Sequence, residues 1–229
     1  MTEDKPDSNF SPQLDKKISR GAEVLRGGGI VAYPTDTVYG LGADINNEDA
    51  VKKVFAAKAR PLNMPMPVLI ASAADAAALV EDQPDVAQVL MDKFWPGGLT
   101  IIFKRNASLK SLALAGSGKI GLRVPGQALT RKLIELTGSP IAGTSANLHD
   151  KPAALTAAQV KSQLGTSVDY ILDGGACPGG VESTIIDVTV NPPAIVRQGI
   201  VPLEAINAII KTGRKDRNAN RPWQRSSRF

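Results

Sequence analysis

Residues 11–44 read SPQLDKKISRGAEVLRGGGIVAYPTDTVYGLGAD, and the pattern within them sets the fold class. Ser11-Pro12 is an N-cap followed by a first-turn proline. Leu14, Ile18, Ala22 and Leu25 then recur at helical spacing until Gly27-Gly28-Gly29 stops the helix. Gly29–Tyr33 (GIVAY) is a short apolar run, the mark of a buried strand, and the turn-prone Pro34-Thr35-Asp36 follows it.

The same alternation continues outward from there. Asn47 caps a second helix whose Val51, Val54, Phe55 and Lys58 lie three and four apart, and which ends before Pro61. Pro67–Ala71 is strand-like, and Ser72 with Asp75 forms a capping box opening an Ala-rich helix. Pro84–Phe94 is helical, the loop Trp95-Pro96-Gly97-Gly98 follows, and Leu99–Phe103 and Ile120–Val124 read as strands. Leu129, Leu133, Ile134 and Leu136 mark a helix face ended by Gly138, and Pro140–Gly143 leads into the polar Thr144–Asn147. Thr156 caps a helix to Leu164. Asp169–Asp173, Ser183–Val188 and Ala194–Arg197 read as strands around the Gly-rich 174–180, and Pro202 opens a last helix to Lys211. Helices alternating with strands predict an α/β layer fold, with helices packed on a largely buried sheet. No linker-like shift in composition breaks residues 13–210, so a single domain is expected there. A polar N-terminal extension (1–12) precedes it and a basic tail (211–229) follows it.

Composition narrows the function. The chain has 229 residues, 43% hydrophobic and 21% charged, the balance of a soluble globular protein. A single cysteine, Cys177, excludes an intrachain disulfide, and a single histidine, His149, excludes Cys/His zinc geometry. No apolar run approaches the ~20 residues of a membrane span, and the acidic, polar start is unlike a signal peptide, so a cytoplasmic location is expected. The net charge of +5 is unevenly spread. Residues 211–229 hold seven Lys/Arg and one Asp, leaving the rest of the chain near neutral. That tail reads either as a solvated terminus or as an electrostatic arm for RNA, with Trp223 and Phe229 as stacking groups.

Familiar nucleotide signatures fail. Gly116-Ser117-Gly118-Lys119 ends like a P-loop, but Ala113 stands where the first Gly belongs and Ile120 where Ser/Thr must meet Mg²⁺. Gly40-Leu41-Gly42 does not complete a GxGxxG, since position 45 is Ile, and no GxSxG is present. Three polar clusters instead sit at strand ends, where open α/β sheets collect ligands. They are Tyr33–Gly40, Lys58-Ala59-Arg60-Pro61 and Gly143–Asn147. Each has a structural reading as turn or helix-end chemistry. Each also has a ligand reading, since a Lys point charge beside an Arg fork suits a polyphosphate. Arg123, inside the apolar strand IGLRVP, either meets a protein carboxylate or waits for an anionic ligand. Glu182-Ser183-Thr184 and Arg197 share that ambiguity. Together these residues describe an anion-receiving cleft, better suited to binding phosphates than to shuttling protons.

In this order the segments resemble the YrdC/Sua5 family of threonylcarbamoyl-AMP synthases. The matching pieces are GGGIVAYPTDTVYGLGAD (27–44), FAAKARP (55–61), FWPGGLTIIF (94–103), IGLRVP (120–125), PIAGTSAN (140–147), GGVESTIIDVT (179–189) and AIVRQG (194–199). The likeness covers residues 15–210 and resembles the short form without an appended C-terminal domain. It implies a twisted open α/β sheet with flanking helices, the YrdC-like (YrdC/RibB) fold. It also implies a reaction, in which L-threonine, bicarbonate and ATP give threonylcarbamoyl-AMP and pyrophosphate, with Mg²⁺ accompanying ATP. Downstream proteins then pass the threonylcarbamoyl group to tRNA. By the same resemblance Thr35, Arg123, Gly143 and Ser183 hold threonine. Lys58 and Arg60 act on the ATP phosphates as the catalytic cations, and Ser145, Asn147 and Arg197 complete the nucleotide site. Some relatives carry a third cation where this chain has Leu62-Asn63-Met64, and a His where it has Leu69; Lys119 is expected to supply the missing phosphate cation. The competing reading is a non-catalytic protein of the same fold that binds double-stranded RNA or tRNA.

Overall fold

The computed structural model describes residues 10–148 and 151–210; residues 1–9, His149, Asp150 and the basic tail 211–229, with Trp223 and Phe229, lie outside the described residues. The first helix, α1 (Pro12–Arg26), starts where Ser11 accepts a hydrogen bond from the Leu14 amide and ends at Gly27. It feeds β1 (Val31–Tyr33), which turns back into β2 (Gly40–Asp44). Asn47 caps α2 (Glu48–Ala57) through the Ala50 amide. Next come β3 (Val68–Leu69), the short α3 (Ala76–Leu79), α4 (Asp85–Phe94) and β4 (Leu99–Lys104). β5 (Lys119–Arg123), α5 (Ala128–Thr137), β6 (Ile141–Ser145), α6 (Ala157–Leu164), β7 (Tyr170–Ile171), β8 (Thr184–Asp187) and β9 (Ala194–Arg197) complete the series, and residues 203–210 are helical.

Among the described residues nine strands form one sheet in the order β7-β1-β2-β6-β3-β5-β4-β8-β9. The sheet is mixed, with β1/β7, β3/β5 and β4/β8 parallel and the other neighbours antiparallel. This is the expected α/β sheet with flanking helices. Several local expectations shift. Gly40–Asp44, rich in glycine and given no element in the sequence reading, is an internal strand. The Ser72/Asp75 capping box is present, but it opens a 3₁₀ turn that leads only into α3. β1, β3 and β7 are shorter than their apolar runs.

Two cores cover the sheet unequally. One face carries Leu41, Ala43, Val68, Ile101, Phe103, Leu122 and Ala142, packed with Val51, Val54 and Phe55 of α2 and Leu90 of α4. On the other face, α1 and α5 cover only the end around β1, where Ile18, Leu25, Tyr33, Leu69, Leu133 and Ile141 meet. Strand residues alternate between faces. Thr100 and Ile102, Gly121 and Arg123, and Gly143 and Ser145 therefore project away from the larger core, onto a stretch of sheet with no helix over it. That stretch is the floor of a cavity.

Candidate functional site

The cavity measures about 540 Å³, within the ~300–1,000 Å³ of small-molecule sites. All ten positions singled out from the sequence line it: Thr35, Lys58, Arg60, Lys119, Arg123, Gly143, Ser145, Asn147, Ser183 and Arg197.

Arg123 sits at the C-terminal end of β5, its side chain only 7% exposed. Of its five N–H donors, Nε gives one to the Gly97 carbonyl (2.8 Å), Nη1 one to Thr37 Oγ1 (3.0 Å) and Nη2 one to Asp36 Oδ1 (2.7 Å). Its other two N–H groups make no hydrogen bond among the described residues. The same Asp36 oxygen accepts from the Gly126 amide at 2.7 Å. Burial pulls the Arg123 pKa down and Asp36 works against it. Of the two alternatives left open by the sequence, the structure shows the first: Arg123 meets a protein carboxylate, Asp36.

Thr35 borders the cavity with its side chain tied into the local turn. Its Oγ1 accepts from the Thr37 and Val38 amides and donates to the Val38 carbonyl at 2.7 Å, so the hydroxyl is committed to the turn after β1. Ser183 Oγ lies 2.9 Å from Thr100 Oγ1 and accepts from Arg197 Nη2 at 3.2 Å. Arg197 also donates to the Ser183 carbonyl and pairs with Glu182.

Lys58 and Arg60 follow the end of α2. Ala59 between them has φ +52°, a left-handed conformation uncommon for a residue with a Cβ. The Lys58 ammonium enters a cage of three oxygens, the Ser145 carbonyl, the Asn147 carbonyl (2.8 Å) and Asn147 Oδ1 (2.9 Å). Its three donors are all used, so Lys58 fixes the Ser145–Asn147 loop while presenting positive charge. Burial, helped by the Arg60 charge, lowers its pKa to about 8. Arg60 donates to the Met64 and Pro65 carbonyls, which shapes the loop after Pro61. Lys119 is paired with Asp187 at 2.7 Å, an arrangement that offsets the charge expected of it toward a phosphate.

The roles of Asp36 and Thr37 as partners of Arg123 escaped sequence reading, although both lie in the Tyr33–Gly40 cluster it singled out. The available signal was physical: an Arg in an apolar strand requires a carboxylate, and Asp36 ends the neighbouring polar turn. Among the described residues no group of three His, Cys, Asp or Glu side chains is placed to hold a metal ion. No helix among them is long and apolar enough to cross a membrane.

An open mixed sheet with three arginines and two lysines around an uncovered floor defines a ligand-binding α/β domain built for anions. The chain belongs to the Sua5/YciO/YrdC domain family, whose model, described as "Telomere recombination", matches residues 23–199. It is 40% identical over 194 residues to the threonylcarbamoyl-AMP synthase of Pyrococcus abyssi, covering 85% of this chain. It is likewise 40% identical over 197 residues to the threonylcarbamoyl-AMP synthase of Bacillus subtilis, covering 86% of this chain. The chain spans 57% of the length of each of those relatives. The crystal structure of P. abyssi Sua5 complexed with L-threonine superposes with a TM-score of 0.83 at 40% identity, over 86% of this chain and 58% of that one.

Proposed function

We propose that this protein is an L-threonylcarbamoyladenylate synthase, a nucleotidyltransferase. It joins L-threonine, bicarbonate and ATP into threonylcarbamoyl-AMP, with release of pyrophosphate, for the threonylcarbamoyladenosine modification of tRNA. The observation that carries this reading is the pair of free N–H groups on a buried, half-neutralised Arg123 beside a second cluster of cations. One site is shaped for a single carboxylate, the other for a polyphosphate.

The threonine carboxylate takes the two uncommitted N–H groups of Arg123, with Ser183 and the backbone at Thr35 and Gly143 bordering it. Its amine attacks the carbon of bicarbonate, forming a C–N bond and releasing water, which leaves a carbamate. A carbamate oxygen then attacks the α-phosphorus of Mg²⁺–ATP, and the bond from that phosphorus to the pyrophosphate oxygen breaks. Negative charge grows on the phosphoryl oxygens, which is where preorganised cations lower the barrier. Arg60 and Arg197 supply it from side chains that can turn from carbonyls to phosphate. Lys58 supplies it as a fixed charge that also holds Ser145 and Asn147 toward the nucleotide. The amine must be unprotonated and the pocket dry, but no strong base is required. A cytoplasmic location and a hand-over to tRNA-modifying proteins belong to this same reading.

Pyrophosphate release measured with each substrate omitted in turn tests it. Release must need threonine, bicarbonate and ATP together. Release that persists without threonine or bicarbonate would show simple ATP cleavage, and none with all three present would leave the RNA-binding reading.

A further inference from the structure

Tyr33 is fully buried, and its hydroxyl is the one buried side-chain oxygen or nitrogen among the described residues without a hydrogen-bond partner. An unpaired buried hydroxyl costs about 1–3 kcal/mol, so packing alone would favour Phe at this position. The surroundings are nevertheless shaped to admit the phenol. A Cβ on Gly40 would come within 2.5 Å of its ring, one on Gly42 would stand 2.9 Å from its oxygen, and one on Gly143 would overlap that oxygen. Glycines on two adjacent strands thus let Tyr33 reach across β2 to β6.

Beyond β6 lies β3, whose Leu69 is paired with Ile141 on one side and with Arg123 on the other. The strands bearing Gly143 and Arg123 are therefore about 10 Å apart, two strand spacings. Tyr33, Leu69, Arg123 and Gly143 all line the cavity. The Arg123 charge is near enough to influence ionisation of the phenol, which burial holds above its usual value, so at neutral pH the group is an O–H that both donates and accepts.

We propose that Tyr33 Oη hydrogen-bonds the β-hydroxyl of the amino-acid substrate and makes this site select a hydroxyl-bearing amino acid over its apolar isostere. The inference rests on the threonine-using reaction proposed above. With the carboxylate on Arg123, the side chain lies over Leu69 toward the glycine platform. Threonine then satisfies the orphaned oxygen, whereas valine, of the same shape, leaves it unpaired. A site built to pair a hydroxyl discriminates strongly against the analogue lacking one, because its own polar group is then stranded.

The test is Tyr33→Phe, which keeps the ring and removes only the oxygen. Pyrophosphate release gives KM for threonine, competition against threonine gives the inhibition constant of L-valine, and thermal melting reports folding. The substitution is expected to lower the preference for threonine over valine about tenfold, through a higher threonine KM with kcat little changed. The melting midpoint should be unchanged or higher, which a purely structural hydroxyl would not combine with a lost preference. An unchanged preference in an otherwise active variant overturns the inference alone. A wild-type protein that releases no pyrophosphate with threonine overturns the underlying reaction, and this inference with it.

Discussion

Asp36 Oδ1 and Arg123 Nη2 are 2.7 Å apart, joining the turn after β1 to the end of β5 across 87 residues of sequence. The bond partly offsets the charge of an arginine that the fold buries at the edge of the cavity. Removing the carboxylate strands the charge. Asp36→Ala is therefore expected to cost about 3 kcal/mol of stability, read by denaturant titration. Arg123→Ala should weaken threonine binding far more than ATP binding, measured by calorimetry with each ligand; equal losses would refute its placement at the carboxylate.

Lys58 gives a pH prediction. Its folded pKa of about 8 lies below its ordinary value of 10.5. Between those values the unfolded chain binds more protons, so this group's contribution to stability increases with pH from about 8 to 10.5. Its contribution to catalysis has the opposite sign. As the ammonium loses its proton, turnover should fall with a midpoint near pH 8. Lys58→Met should flatten that limb in whatever turnover it retains. A wild-type profile level from pH 7 to 9 would remove Lys58 as the charge that matters.

Gly143 and Tyr33 should be energetically coupled. Gly143→Ala forces a methyl against the Tyr33 oxygen, and overpacking of this kind costs about 1–3 kcal/mol. In a Tyr33→Phe background the cost should drop by at least ~1 kcal/mol in a double-mutant cycle. Additive effects would mean that the glycine is required for some reason other than the phenol.

The basic segment 211–229 carries seven of the 27 Lys/Arg residues. Truncation after Lys211 is expected to leave small-molecule turnover intact while lowering salt-sensitive retention on RNA. A large fall in turnover would contradict the arm reading.

Much of this architecture was legible because the chain obeys local rules. Ser11, Asn47 and Thr156 cap helices where their side chains predict, and apolar runs such as LTIIF become strands. β2 was missed because GLGAD lacks the β-branched residues that mark strands; its glycines answer to Tyr33 and Ile141, which approach it from other strands. The candidate site was legible as a set of residue types at strand ends, which the fold gathers around one cavity. Pairings within it were not. Nothing local tells Arg123 that Asp36 is its partner, that Lys58 closes on Asn147, or that Lys119 meets Asp187, because each contact spans at least 68 residues.

In the proposed reaction this cavity builds a carbamate on threonine and transfers AMP to it. Incubation with threonine, Mg²⁺–ATP and isotopically labelled bicarbonate, followed by mass spectrometry of the nucleotides, tests this directly. The expected product is an AMP adduct that retains both the labelled carbon and the threonine. An unlabelled adduct, or ATP left unchanged with every substrate present, would contradict it.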